Sequence, residues 1–342
     1  MIDAGQPGQQ GMSAVVKRSL GMSGVSLETV AVPHVRAGFA LIRVIATGVC
    51  GTDIHIAHDE YASESPVVMG HEILGTVDSV GDSSEDHWLG ARVVCETYFS
   101  ACESCEWCRA GRRNLCPLRR SLGSFENGGF ARFVLVPIIN LHRVPDAVSG
   151  IEVALSEPLA CVVQCLLHPA VVGVGDKVLV TGPGTMGQLA AQVALAAGGD
   201  VTLAGLDKDA LRLAAAAELG ITTTTAPTGP DSFDVVIECS GSPAGARMGL
   251  KSVNRGGRYV QVGIFGKDVS LPIDLILYKE LSVSSGFAST AVSWQGAIRL
   301  IEQGKVRLGS LVTKQVPLDR WKTAFEAVMA GDGIKTVIVS DS

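Results

Sequence analysis

Apolar positions first alternate in short runs and then, past residue 157, gather into blocks of two different periods. Ala14–Val16, Val25–Val30 and Ala40–Ile45 read as strands parted by Gly- and Pro-rich loops. Strand pattern continues at Gly75–Val80, Ala91–Thr97 and Ala131–Val136, with glycines 70, 75, 81 and 90 as turns. This predicts a compact, partly closed β domain. Beyond Glu157, strands at Lys177–Thr181, Val201–Leu206, Val235–Glu238 and Tyr259–Val262 alternate with helices at Leu189–Ala197 and Asp209–Leu219. That alternation predicts a doubly wound parallel sheet with helices on both faces, an α/β fold. Gly256-Gly257 is expected to turn the chain into the last of these strands, and Thr222–Thr225 is a low-complexity tract.

After Ala291 the pattern gives a helix at Trp294–Glu302, a strand at Val312–Val316, a helix at Trp321–Met329 and a strand at Lys335–Val339. These are too few to fold alone and are expected to complete the first domain. The predicted organisation is a disordered extension at 1–12, a β-rich domain at 13–165 and 300–342, and an α/β domain inserted at 166–299.

Within the α/β pattern, Val178–Val180 leads into Gly182-Pro183-Gly184-Thr185-Met186-Gly187, then a helix, then a strand that ends in Asp207. Gly182 makes the tight turn, Gly184 lets backbone approach a pyrophosphate, and Gly187 lets helix and strand pack closely. The helix N-terminus favours the anion. Asp207, twenty residues past Gly187, is placed to accept bonds from the adenosine ribose. Its charge opposes a 2′-phosphate, so NAD is expected over NADP, although Lys208 beside it softens that rejection.

The 342 residues are 47% apolar and 18% charged, enough for two buried cores. A net charge of −6 argues against nucleic acid or an anionic membrane surface as main partner. No apolar run attains a membrane span, because Gln192 interrupts the best candidate. Met1–Gly11 lacks the order of a secretion signal, so a cytoplasmic location is expected.

Nine cysteines, an odd and tightly clustered set, argue against a disulfide framework. Cys102-x2-Cys105-x2-Cys108-x7-Cys116 places four thiols within fifteen residues, among turn formers and arginines. Tetrahedral Zn²⁺ takes four converging thiolates, and two-residue gaps let a loop wrap the ion. Four core cysteines are the bland alternative, and the polar surroundings argue against them. A nucleic-acid zinc module is disfavoured by the acidic balance and the missing recognition helix. A structural zinc lobe is expected at 95–120.

Three further fragments carry candidate ligands: Cys50-Gly51-Thr52-Asp53-Ile54-His55, Gly70-His71-Glu72 and Glu157-Pro158-Leu159. Each alone is weak, since a cysteine at a strand end is often core and a His-Glu pair is often an ordinary turn. Together with the cysteine lobe and the glycine loop, their order and spacing resemble the zinc-dependent medium-chain dehydrogenases over residues 13 to 340. With Glu157 where classical alcohol dehydrogenases have a second cysteine, the ligand set resembles the sorbitol (polyol) branch.

The resemblance implies a GroES-like catalytic domain with a Rossmann nucleotide domain, one catalytic and one structural zinc, NAD, and a small polyol or cyclitol substrate. It implies a catalytic zinc held by Cys50, His71 and Glu72, with Glu157 close enough to bind through water or to exchange with Glu72. Cys161 and Cys165 are rival ligands on an apolar stretch that reads as core. Thr52 would accept the substrate proton and His55 would pass it on, against the alternative of a surface histidine. By resemblance, Arg212 contacts the adenosine end and Cys239-Ser240-Gly241 flanks the adenine. Val262-Gly263-Ile264 lies by the nicotinamide, and Gly286-Phe287-Ala288 closes over it. Polyol dehydrogenases tend to carry a substrate-touching arginine where this chain has Ser289, which weakens sorbitol itself as the substrate. Threonine dehydrogenases are the nearest alternative, but they usually have Asp-Pro at Glu157-Pro158. A nucleotide-binding protein without turnover is the alternative of another class, and an intact ligand set argues against it. A homo-oligomer is usual in the family, and Leu281–Ser285 is a candidate edge for it.

Overall fold

The computed structural model describes residues 11–146 and 148–340. The expected extension at 1–12 lies outside them for residues 1–10, whereas Gly11 and Met12 already belong to strand Gly11–Lys17. The chain divides into two compact units: one runs to Glu157 and resumes at Val312, and the other is Pro158–Leu311. The first boundary therefore falls near the start of helix Ser156–Leu167 rather than at residue 165. The second falls later than residue 299 for a local reason. The Gln192 side chain accepts from the Arg307 N–H at 2.7 Å and donates to its carbonyl at 3.2 Å, tying this stretch to helix Thr185–Ala196. No helix among the described residues is long and apolar enough to cross a membrane.

The first unit is built on strand Phe39–Gly48. One of its edges pairs with Glu72–Val80; the other is shared by Phe133–Pro137 and Lys335–Val339, all antiparallel. Strand Val312–Pro317 adds in parallel to Lys335–Val339. A second sheet pairs Gly11–Lys17 with Val25–Ala31 and Val67–Val68. Helix Trp321–Ala330 buries Trp321, Ala324, Phe325 and Ala327 at helical spacing, and Gly331 ends it at φ 67°. Phe325 meets Trp321 edge-on at 5.1 Å and Phe130 at 6.0 Å. That core also takes in Val49, Ile56 and Ala57, which anchors the short helix Gly51–Ala57 that follows Cys50.

The second unit is a six-stranded, all-parallel sheet. Its order is Thr222–Thr224, Asp200–Ala204, Lys177–Thr181, Phe233–Glu238, Val253–Gln261, Ser282–Ser285. Counted within the unit this is 3-2-1-4-5-6, the Rossmann order. The threonine tract is a strand after all, its branched side chains suiting a pleated surface. Gly256-Gly257 lies inside the strand Val253–Gln261, not ahead of it, where the pairing shifts between Phe233↔Val253 and Val235↔Arg258. The strand expected at Val201–Leu206 stops at Ala204, although Gly205 still donates its N–H to the Thr224 carbonyl at 3.0 Å and Leu206 stays extended.

Candidate metal and dinucleotide sites

Register assembles the first site. Gly48 stands opposite Glu72, and Val337 stands opposite Gly48. Cys50, His71, Glu72 and Lys335 therefore leave their strands at one end of the sheet. A ligand atom from each of Cys50, His71 and Glu72 lies within 4.8 Å of the others. Asp53 fixes this corner from the helix: one carboxylate oxygen accepts the Cys50 N–H at 2.9 Å, and the other faces His71 Nδ1 at 3.4 Å. That contact turns Nε2 toward the remaining donors, as an outer carboxylate does for metal-bound imidazole. Burial lowers the affinity of His71 for a proton, but Asp53 and Cys50 outweigh it and hold the imidazole well above its ordinary pKa. Cys50 Sγ donates to the Thr52 hydroxyl oxygen at 3.6 Å. His55 is half exposed, with Nδ1 2.7 Å from Glu60.

Glu72 is fully buried. Its Oε1 meets the ammonium of Lys335, itself buried, at 2.5 Å, while its Oε2 has no hydrogen-bond partner. A Cβ at position 48 would collide with that carboxylate, so only glycine leaves it room. A buried, under-partnered carboxylate beside a thiol and an imidazole fits a Zn²⁺ ion. Glu157 is buried in the first turn of its helix and stands outside the 4.8 Å group. Cys161 and Cys165 also stand outside it; Cys165 donates to the Gly286 carbonyl at 3.6 Å, and burial pushes its thiol up to about 11.

Cys102, Cys105, Cys108 and Cys116 form the second ligand group. Successive backbone N–H groups point at its sulfurs: Cys105 to Cys102 at 3.3 Å, Cys108 to Cys105 at 3.4 Å, and Cys102 to Cys116 at 3.4 Å. The N–H groups of Ser104 and Cys105 lower the Cys102 thiol to about 6, so it is a thiolate near neutrality. Burial and the neighbouring sulfurs push Cys108 up to about 12, so metal capture must expel its proton. The short strands Tyr98–Ser100 and Arg120–Ser121 pair at the foot of the lobe.

In the second unit, Gly182 takes φ 90°, and a Cβ there would meet Ser240 Cα at 2.6 Å. A Cβ on Gly187 would strike the Gly182 carbonyl, whereas one on Gly184 would meet nothing within 4 Å. Gly184 caps helix Thr185–Ala196, so Thr185, Met186 and Gly187 form its first turn, the end of a helix that favours an anion. This cradle fits a diphosphate. Asp207 and Lys208 are exposed in the turn Asp207–Asp209, and Arg212 is drawn to Asp209 at 3.3 Å. Cys239 continues the sheet through its N–H to the Thr181 carbonyl at 2.9 Å. Val262 and Gly263 are half-buried, Ile264 and Phe287 exposed, Gly286 packs on Cys165, and Ala288 takes φ 53°. Ser289 is fully buried and accepts from Trp294 Nε1 at 3.0 Å, so its side chain faces the core.

The alcohol dehydrogenase GroES-like domain model matches residues 36–146, and the zinc-binding dehydrogenase model matches residues 185–303. The chain belongs to the zinc-binding alcohol dehydrogenase family. This dehydrogenase is 34% identical to a sorbitol dehydrogenase of Halalkalibacterium halodurans over 96% of its own length and 99% of the relative's. It is 33% identical to a D-arabitol-phosphate dehydrogenase of Enterococcus avium, covering 96% and 98% of the two chains. Among solved structures it resembles a zinc-binding dehydrogenase of Sinorhizobium meliloti 1021 bound to NADP, with a TM-score of 0.88 and 31% identity over 97% and 100% of the chains. It is an oxidoreductase acting on CH–OH groups. Two buried charges in this dehydrogenase escaped sequence reading. Lys335 sits in a strand pattern that gives no hint of a partner 263 residues away, and Glu238 ends an apolar strand like any other acid.

Proposed function

We propose that this dehydrogenase moves hydride between NAD and a secondary hydroxyl of a polyol or cyclitol, in the cytoplasm, as a homo-oligomer. The observation that carries the reading is the convergence of Cys50, His71 and Glu72 on one buried point. The polyol-acting relatives support the substrate class. Cys50, His71 and Glu72 would hold the catalytic zinc, and the four lobe cysteines a structural one. When bound, the first ion supplies Lewis acidity that lowers the pKa of the substrate hydroxyl, and nicotinamide supplies the hydride acceptor. The chain's own groups do the rest. Asp53 orients the imidazole, Lys335 holds one oxygen of Glu72, and Thr52 takes the hydroxyl proton. His55 passes it on; its ring stands half exposed beside Glu60, where solvent can collect the proton.

One thiolate with a carboxylate makes a harder donor set than two thiolates, which suits alkoxide. Asp207 supports NAD, although its exposed place beyond the strand end and the adjacent Lys208 leave it a weaker guard than an acid on the strand itself. Ser282–Ser285 at the sheet edge, with exposed Val283, Leu277 and Tyr278 nearby in sequence, supports association of two copies. Light scattering that returns only a monomer mass would remove that part.

Metal analysis tests the centre. Two zincs per chain are expected, and one would mean that the Cys50 site stays empty. Sugar alcohols, cyclitols and threonine, scored by NADH absorbance, test the substrate class, and turnover of threonine alone would overturn it. Cys50→Ala should abolish turnover while NADH binding persists; loss of both would remove Cys50 from its assigned role.

A further inference from the structure

Parallel α/β sheets bind ligands at the crevice where strand order reverses. Here that point lies between Lys177–Thr181 and Phe233–Glu238. The second strand ends in Glu238, a carboxylate with no exposure to solvent. Donors hold it in place of a cation. Oε1 accepts from the Ser240 N–H at 2.8 Å, from the Ser240 hydroxyl, and from the Thr181 hydroxyl at 3.3 Å. Oε2 accepts from the Gln261 amide at 2.8 Å and the Gly241 N–H at 3.2 Å. The Glu238 carbonyl accepts from Val262 and Gly263 at 2.9 and 2.8 Å. Gly263 comes so near that a Cβ on it would lie 2.6 Å from Oε2, and Gln261 donates onward to the Gly263 carbonyl at 2.7 Å.

A buried carboxylate is costly to desolvate and persists where its acceptors are all used. Every group aimed at Glu238 can donate, and the backbone N–H groups and the Gln261 amide nitrogen can only donate, so the position demands a group that only accepts. A glutamine would turn its own NH₂ toward one of them. The carboxylate thus joins the turn after its strand to the segment that follows Gln261, two stretches that share no strand pairing beyond Glu238.

We propose that Glu238 is a positioning residue for the dinucleotide, fixing Ser240-Gly241 and Val262-Gly263 as one pre-formed edge of its binding crevice. This rests on the dinucleotide reading above. Binding to an edge already ordered avoids the entropy of arranging two loops around the cofactor.

The test uses the full-length, zinc-loaded protein, with NADH fluorescence for binding and steady-state rates for KM. Glu238→Gln should raise the KM for NAD and the Kd for NADH about tenfold to a hundredfold, the effect of lost bonds to a charged group. The KM for the alcohol and the zinc content should stay unchanged, because neither involves this turn. Gln261→Met keeps the carboxylate but cuts its bridge to Gly263. It should shift NADH affinity the same way by a smaller factor, and it decides the matter if Glu238→Gln does not fold. Unchanged NADH affinity in the folded variants would overturn the positioning role, as would equal rises in both KM values. A wild-type protein that binds no NADH would instead overturn the dinucleotide reading itself.

Discussion

Glu72 is a buried charge shared between the Lys335 ammonium and the Cys50–His71 pair. Removing the ammonium while no ion is present strands a carboxylate in the core, at a cost of about 3–5 kcal/mol. A bound cation would compensate part of that charge. Lys335→Met should therefore lower the melting temperature more in chelator-treated protein than in zinc-loaded protein, measured by calorimetry on both forms. Equal losses would mean that the lysine does not share Glu72 with a metal. Cys50, His71 and Glu72 were readable only in combination, because each fragment alone is weak and it is their order and spacing with the cysteine lobe and the glycine loop that resemble the zinc-dependent dehydrogenases. Lys335 was not, since a lysine at a strand start ordinarily reaches solvent, and only the pairing Val337↔Gly48 brings it to Glu72. Glu157 entered only through the resemblance, since an acid before proline ordinarily caps a helix or faces solvent; its burial and its place on a helix, apart from the ligand-bearing sheet, are what the structure adds.

Elements depend on polar ties that periodicity does not register. Strand Val253–Gln261 is fastened by Arg258, which donates to the Val171 carbonyl at 3.0 Å and to Asp176 at 2.9 Å. Burial raises the proton affinity of Asp176, but Arg258 and the Gly173 N–H outweigh it and hold the carboxyl below the usual range. A carboxyl lowered by folding stabilises the fold above its unfolded pKa, and that stability is lost as pH falls through the lowered folded value. Asp176→Asn should cost about 1–3 kcal/mol near pH 7, with the difference from wild type closing in acid through that window; urea titrations at several pH values would check it. A pH-independent difference would assign the loss to packing. The same blindness explains Gly256-Gly257, which read as a turn because glycine marks turns and bulges alike, and the pairing partner decides between them.

At the scale of the molecule, the α/β insertion was legible from one inference: elements too few to fold alone must return to an earlier partner. In the sheet, Lys335–Val339 pairs with strand Phe39–Gly48 and carries Val312–Pro317 on its other edge. Its boundaries were less legible, since Gln192 appeared only as a break in an apolar run and not as the tie to Arg307. Both ligand groups lie in the first unit and the glycine cradle in the second. Hydrogen exchange should therefore respond by region. Chelation should lower protection in residues 11–157 and 312–340, and NADH should raise it in residues 158–311. Protection lost mainly in 158–311 on chelation would contradict the assignment of the metals.

The shared edge of Phe39–Gly48 also sets an order of events at the ribosome. Ala46–Gly48 emerges early, yet the strand that covers it is translated only after all of Pro158–Leu311. Until then the nascent β unit has an open flank, and the acid at its corner lacks its ammonium. Until that strand is released only a captured cation can offset the charge of Glu72, so the metal and the lysine should reach this corner in that order, the ion during growth of the chain and the ammonium at its end.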